Sequence, residues 1–310
     1  MTREHYLKNL KAPSGKVDVI LDTDAYNEID DQFAISYLLL SGEKLNTVGL
    51  CAAPFFNSLS TGPKDGMEKS YDEILKLLSL LGREDMKAKT YKGSERYLPD
   101  EHTPVDSDAA RFIVETARKY TPEAPLYVVA IGAITNVASA ILLDPAAMEN
   151  TVIVWLGGHA IHCDWAGGEA NEFNMRQDIA AARVVFESAT PVVMLPCGGV
   201  VDTFTISKPE CEYWLKGANP LGEYLAEHTI EAADSYALGK PWTRVIWDVT
   251  AVAWLLDRDS AFMHSKIINA MLPQYDKTYS YPENSKEIVY VTKIKRDSLM
   301  NDLLGKIRSF

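Results

Sequence analysis

The sequence predicts an α/β fold: an open, mainly parallel sheet flanked by helices, with a helical C-terminal part. Strand and helix signals alternate over most of the 310 residues, the rhythm that a parallel sheet with crossover helices requires. The strand candidates read as buried apolar runs. Glycine and acidic residues gather where those runs end, the edge at which open α/β sheets bind ligands.

Residues 17–21 read as the first strand, and Phe33, Ala34, Tyr37 and Leu38 give the next segment the spacing of an amphipathic helix. Residues 45–50 form a second strand. Residues 52–66 contain Pro54, Gly62, Pro63 and Gly66 and read as a long loop near the first strand's end. A helix over 68–81 places Ile74, Leu75, Leu78 and Leu81 on one face and stops at Gly82. Further strands are expected over 126–131, 151–156 and 192–195, with helices over 133–143 and 178–188. Asp144-Pro145 ends the first of these helices. After Pro209 the chain turns mainly helical, over 209–216, 221–236 and 248–256. The tail from 266 to 310 holds strand-like pieces such as 287–292 and a closing helix.

A chain that is 47% hydrophobic and 24% charged can bury a full core, and one domain over residues 1–310 is the simplest account. The balance of 31 Lys and Arg against 43 Asp and Glu, a net charge of −12, argues against a nucleic-acid groove or an anionic membrane surface. No apolar run has the length of a membrane span. The polar stretch 1–13 lacks the apolar centre of a signal peptide. Cys51, Cys163, Cys197 and Cys211 form neither CxxC pairs nor a disulfide framework, and the expectation is a reduced, cytoplasmic protein.

Asp22, Asp24, Asp30 and Asp31 carry the chemistry, at the end of the first strand and the start of the first long helix. One carboxylate there serves as a helix cap. Four together repel and raise one another's pKa, and a hard cation such as Ca2+ or Mg2+ relieves the repulsion. Three other strand ends are polar. Gly132-Ala133-Ile134-Thr135-Asn136 offers a backbone carbonyl to a cation or a cap to the next helix. The loop 167–174 brings Glu169, Asn171, Glu172 and Asn174 together, and a Glu beside an Asn supplies the acceptors and donors that vicinal sugar hydroxyls need. Asp248, after Trp247, is either a helix cap or the last carboxylate of a metal site.

In this order the pieces resemble the nucleoside hydrolase family, from about Val17 to about Leu256: a strand with DxD and a later DD, a strand with GxxTN, then Glu172-Phe173-Asn174 with Asp178, and a late Trp247-Asp248. The resemblance implies a Ca2+ ion at the carboxyl ends of the strands. It implies that Asp24 is both a calcium ligand and the base that activates water. Asp31, the Thr135 main-chain carbonyl and Asp248 would complete the metal site. Asp30, Glu172 and Asn174 would hold the ribose hydroxyls, with Asp22 orienting its neighbours. It also implies a small-molecule nucleoside or ribosyl substrate and a homodimer or homotetramer.

The chain departs from the family pattern in three places. The family's motif runs D-x-D-P-G-x-D-D, whereas five residues separate Asp24 from Asp30 here, among them Asn27 and Glu28, which become candidates for the sugar or metal. Trp247 stands where many members have a His that protonates the departing base, and an indole is no such acid. Leaving-group contacts then fall to Trp247 by stacking, or to His228, Glu231, Tyr236 or Trp242. His159 and His162 lie near a strand end, and with Asp164 they match zinc-ligand types at a weakly diagnostic spacing. In the loop after the second strand, Asn57 is a candidate sugar contact, and Phe55 and Phe56 line either an aglycone pocket or the core.

The expected activity is therefore Ca2+-dependent hydrolysis of a ribonucleoside N-glycosidic bond. The alternatives are hydrolysis of another N-ribosyl or glycosidic compound on the same fold, and a binder that holds a ribosyl ligand without turnover. A Mg2+ phosphohydrolase of the haloacid dehalogenase type also uses a DxD after a strand, but it gives the Glu172–Asn174 loop no role.

Overall fold

The computed structural model describes residues 1–310, Asp164 by its backbone alone. Its strands are β1 (Val17–Thr23), β2 (Leu45–Ala52), β3 (Thr90–Lys92), β4 (Leu126–Ala130), β5 (Thr151–Leu156), β6 (Val192–Leu195), β7 (Thr205–Ser207), β8 (Thr243–Val245), β9 (Met263–Asn269), β10 (Leu272–Pro273), β11 (Tyr279–Ser280) and β12 (Glu287–Ile294). Its helices are α1 (Arg3–Asn9), α2 (Asp30–Leu40), α3 (Pro63–Leu80), α4 (Asp108–Ala117), α5 (Thr135–Leu143), α6 (Pro145–Met148), α7 (Phe173–Gln177), α8 (Ile179–Glu187), α9 (Lys208–Glu210), α10 (Pro220–Ala237), α11 (Val249–Leu256) and α12 (Arg296–Ser309).

The main sheet runs β3-β2-β1-β4-β5-β6-β12-β9. All neighbours pair in parallel except β12 and β9. Side chains alternate across it: Val19, Leu21, Val129 and Val154 face the core shared with α2, α3, α10, α11 and α12. Ile20, Val128, Ile153 and Trp155 face the core shared with α4, α5 and α8. Burial on both faces is why these strands are apolar throughout. Strand order reverses beside β1, which pairs with β2 on one side and β4 on the other. That reversal opens a crevice at the carboxyl ends of β1 and β4.

The expected elements are present, with instructive shifts. The helix expected over 68–81 begins at Pro63, because proline is well placed in a first helical turn; the loop after β2 is correspondingly shorter. The helix α2 is buried nearly all round rather than amphipathic, since α11 and α12 pack over the side that would otherwise meet water. The segment 209–216 is a short helical turn followed by a π-type turn over Cys211–Leu215. The C-terminal part is helical only in part, since β12 and β9 extend the main sheet.

One buried amide ties the crevice together. Asn136 donates to Asp22 Oδ1 at 2.7 Å and to the Ala52 carbonyl at 3.1 Å, and accepts from the Ser94 N–H and hydroxyl at 2.8 Å each. Its removal strands donors and acceptors from β1, β2 and the turn after β3. Asn136→Ala is expected to cost about 3 kcal/mol, since each orphaned buried group costs roughly 1–3; a denaturation midpoint unchanged from wild type would refute the role of this amide.

Candidate active site

Four carboxylates converge at the crevice because of how three chain segments leave the sheet. Asp24 follows β1 directly, and its carbonyl accepts from the Asn27 N–H at 2.8 Å, which turns the chain into α2. That turn delivers Asp30 and Asp31 to the first turn of α2. Asp248 opens α11, and its side chain makes no capping bond, so its carboxylate is free for the crevice. Oxygens of Asp30, Asp31 and Asp248 lie within 4.8 Å of one another. Asp24 lines the same cavity and acts electrostatically on Asp248.

All four are buried. Burial, then repulsion from Asp31 and Asp30, holds Asp24 well above the usual carboxylate range. Asp30 is raised by burial and by Glu28, with Arg244 opposing. Asp31 is pushed from 3.8 to about 7 by burial, although the Thr23 hydroxyl donates to it. Asp248 is raised by burial and by Asp30. Asp22 is also raised to about 7 by burial. Both oxygens of Asp24 and one of Asp22 are buried without any hydrogen-bond partner. Gly132 permits this arrangement: a Cβ there would sit 2.8 Å from Asp24 Oδ1. A wall of buried, partnerless, like-charged oxygens fits a hard divalent cation, whose ligands are carboxylate and carbonyl oxygens. Asp24, Asp30, Asp31 and Asp248 are the groups placed to hold one.

Thr135 does not line the cavity. Its hydroxyl donates to Asp178 Oδ2 at 2.7 Å, and Asp178 also accepts from Leu98 N–H and caps α8 through Ala181 N–H.

Glu172 and Asn174 line the same cavity. The Glu172 carboxylate accepts from the N–H groups of Gly158, Asn174 and Met175 at 2.8–3.0 Å, which fixes it in place at the start of α7. Gly158 has φ +74° and no room for a Cβ, which would collide with the Tyr279 hydroxyl, so glycine suits this turn. Asn174 spends both amide hydrogens on the Ile131 and Leu156 carbonyls at 3.1 Å. Its Oδ1 is thereby the atom left for a ligand, as an acceptor of a hydroxyl hydrogen.

The cavity measures about 250 Å3 and also takes in Asn27, Glu28, His159, Cys197 and Trp247. A second cavity of about 480 Å3 shares Asn27 and Glu28 with it and is walled by Tyr26, Tyr224, His228, Glu231 and Tyr236. His228 belongs to this second space. Its Nδ1 lies 2.9 Å from the Tyr224 carbonyl and its ring 4.0 Å from that of Tyr224. Asn57 lines neither cavity; it donates to Asn27 Oδ1 at 2.6 Å and so braces a residue that lines both. Phe55 is core, packed against Gly66, and Phe56 is exposed. His159 lines the first cavity, whereas His162 does not; the Asp164 side chain of the expected zinc triplet lies outside the described residues. Sequence reasoning missed Arg176, Cys197 and Arg244. Cys197 reads as core, and neither arginine stands in a motif.

The buried carboxylates able to hold a divalent cation lie at the switch point of a parallel sheet and line one cavity with Glu172 and Asn174. The profile of the family described as "Inosine-uridine preferring nucleoside hydrolase" matches residues 19–299, beyond the Leu256 limit of the motifs, and the chain belongs to that family of N-glycosyl hydrolases. It is 27% identical over 197 residues to the probable uridine nucleosidase 2 of Arabidopsis thaliana, covering 56% of this chain and 57% of that one. It thus spans little more than half the length of that relative. It is 27% identical over 262 residues to a pyrimidine-specific ribonucleoside hydrolase of Escherichia coli, covering 77% and 79% of the two chains. Its fold matches a plant nucleoside hydrolase with a TM-score of 0.76 at 20% identity, covering 96% of this chain and 100% of that one. A purine-preferring ribonucleoside hydrolase from Gardnerella vaginalis gives 0.71 at 21%, covering 94% and 98%.

Metal removal has a signed pH dependence. A carboxylate whose folded pKa is raised stabilises the fold at low pH, and that contribution is lost as pH climbs from about 4 to about 7, through the unfolded and then the folded values of Asp22 and Asp31. The metal-free protein is therefore expected to weaken over that window. Added Ca2+ should raise Tm more near pH 8 than near pH 5, because at the lower pH protons compete for the ligands. A calcium-induced Tm gain equal at both pH values would contradict the cluster as the binding site.

Proposed function

We propose that this protein hydrolyses the N-glycosidic bond of a ribonucleoside, releasing free base and ribose, with a calcium ion held by Asp24, Asp31, Asp248 and the main-chain carbonyl of Thr135. The observation that carries the reading is the pair of buried, partnerless oxygens on Asp24, which lines one cavity with Glu172 and Asn174. When bound, a divalent cation offsets the buried negative charge and polarises the oxygens it touches.

Asp24 takes the proton of the attacking water. Asp30, Glu172 and the Asn174 Oδ1 accept from the ribose hydroxyls and fix the sugar. Their negative character stabilises the oxocarbenium-like charge that develops as the bond breaks. Water adds across the bond, with hydroxide to C1 and a proton to the departing nitrogen.

Trp247 offers the leaving base a ring face. The second cavity beyond Asn27 and Glu28, walled by tyrosines and His228, receives the rest of it. His228 gives its Nδ1 hydrogen to the Tyr224 carbonyl, so only the doubly protonated ring can donate from Nε2. Pyrimidines are the first substrates to test, since the matched sequence relatives act on uridine or pyrimidine ribonucleosides.

The test is sugar release from uridine and from 4-nitrophenyl riboside, whose leaving group needs little protonation. Asp24→Asn is expected to lower kcat on both by about 1000-fold, within the range of general-base loss, with Tm preserved. His228→Ala should slow uridine and spare the activated riboside. Full activity of Asp24→Asn would overturn the assignment. Silence of the wild type on every riboside would move the reading to a ribosyl binder.

A further inference from the structure

The first cavity has a direction, given by the order of the strands whose ends line it: Asp24 follows β1, Ile131 follows β4, and Leu156 and His159 lie at the end of β5. At one end Glu28 and Arg244 pair at 2.9 Å beside Asp30. Cys197 lies between, acted on by Glu172, Asp248 and Asp30 alike. At the far end the carboxylates that act on His159 are Glu172 and Asp202, with none of the clustered aspartates among them, and Arg176 is its cationic neighbour. Arg176 and His159 line this cavity and not the second, in a chain whose net charge is −12.

Both are free to donate. Arg176 lies with its Cζ 5.3 Å from the centre of the Phe173 ring, and its one hydrogen bond, to the Asn171 carbonyl, is long at 3.5 Å. Among the described residues it has no carboxylate partner. His159 accepts from the Gly198 N–H through Nδ1 at 3.1 Å, which leaves the ring proton on Nε2. Burial keeps the ring below its ordinary pKa despite the pull of Glu172. The Glu172 charge that would oppose an anion here is already spread over three backbone N–H groups.

A furanose held by its ring hydroxyls sends its C1 and C4 substituents away from opposite sides of the ring oxygen. With the base directed to the aromatic cavity, the C4 side points to Arg176 and His159. A bare 5-hydroxyl needs neither the Arg176 cation nor the His159 N–H; the acceptor Oδ1 of Asn171, buried without a partner, suffices for it. We propose that Arg176 and His159 form a subsite for a phosphate ester on the sugar's C5, so that nucleoside 5′-monophosphates are substrates alongside, or in preference to, the nucleosides. Arg suits this task because its planar fork meets phosphate oxygens in pairs. The reaction is unchanged: water adds across the C1–N bond, the base leaves with a proton, and ribose 5-phosphate departs with its ester intact.

This subsite rests on the ribosyl reading above, and binding separates the two. Ribose and ribose 5-phosphate are titrated calorimetrically into the calcium-loaded protein, with hydrolysis of uridine and uridine 5′-monophosphate followed in parallel. Ribose 5-phosphate is expected to bind about tenfold or more tightly than ribose, as befits charge-assisted bonds. Arg176→Gln should bring that ratio down toward one, and Arg176→Glu should invert it. A ratio unchanged in Arg176→Gln would place the phosphate elsewhere, on the cation for example, and overturn the subsite. Cleavage of uridine with no preference for ribose 5-phosphate would overturn the subsite and leave the ribosyl reading standing. If neither sugar binds and no riboside is cleaved, both fall.

Discussion

The carboxylates of Asp24, Asp30, Asp31 and Asp248 are packed together and buried at the base of one cavity, and the rest of the structure answers to that constraint. Ionised groups so placed cost far more than the hydrogen bonds available to them return. Without a cation, burial and mutual repulsion favour their protonated forms and hold Asp24, Asp30 and Asp248 well above the usual carboxylate range. The surrounding protein makes little attempt to neutralise the cluster. Arg244 reaches Glu28 and influences Asp30, but among the described residues no basic side chain partners Asp24, whose two oxygens stay without a hydrogen bond. A fold that spends stability in this way is built around something positive that arrives later.

The scaffold is correspondingly stiff where it carries these groups. Strand β1 lies between two parallel neighbours, Asn136 links its Asp22 to the end of β2, and Asp178 clasps the starts of α5 and α8. The acceptor wall is set with similar economy. Asn174 uses its hydrogens to bind the ends of β4 and β5 together, and so a structural task decides which atom faces the ligand. Positioning of this kind lets a site act without reorganising during reaction.

Much of this was legible in the sequence, and the reason is local. An aspartate directly after an apolar run has its place fixed by the strand, so the neighbourhood of Asp22 and Asp24, with Asp30 and Asp31 at the start of the next helix, could be read from order; Asp248, readable alone as a helix cap, joined them through the family resemblance. The sheet could be read likewise, because buried parallel strands are marked by composition. What the sequence left open depends on long-range contacts. Nothing near Asp248 says that its side chain declines to cap α11. The burial of α2 on all sides depends on α12, more than two hundred residues away. The strands β9 and β12 look like any tail until β6 offers an edge. Asn57 carries the right chemistry for a sugar but is one layer back, turned to Asn27 by the loop, and the positions of Arg176 and His159 follow from how the turn after β5 folds over Gly198.

The absence of a histidine before Asp248 bears on how the substrate is divided along the site. With Trp247 in that place, the wall beside the leaving base supplies a surface rather than a proton, and a base that departs readily as an anion gains most from it. The demand on the enzyme then shifts toward the sugar, where binding energy can be used to orient the ring and stabilise its developing charge. Arg176 and His159 lie at the end of the cavity where extra grip on the sugar would be obtained without touching the bond that breaks. A phosphate on C5 carries much more binding energy than a hydroxyl and is unaltered by the reaction. Weak leaving-group assistance at one end and an anion-holding pair at the other are therefore two parts of one design, in which catalysis draws on the sugar for what it does not take from the base.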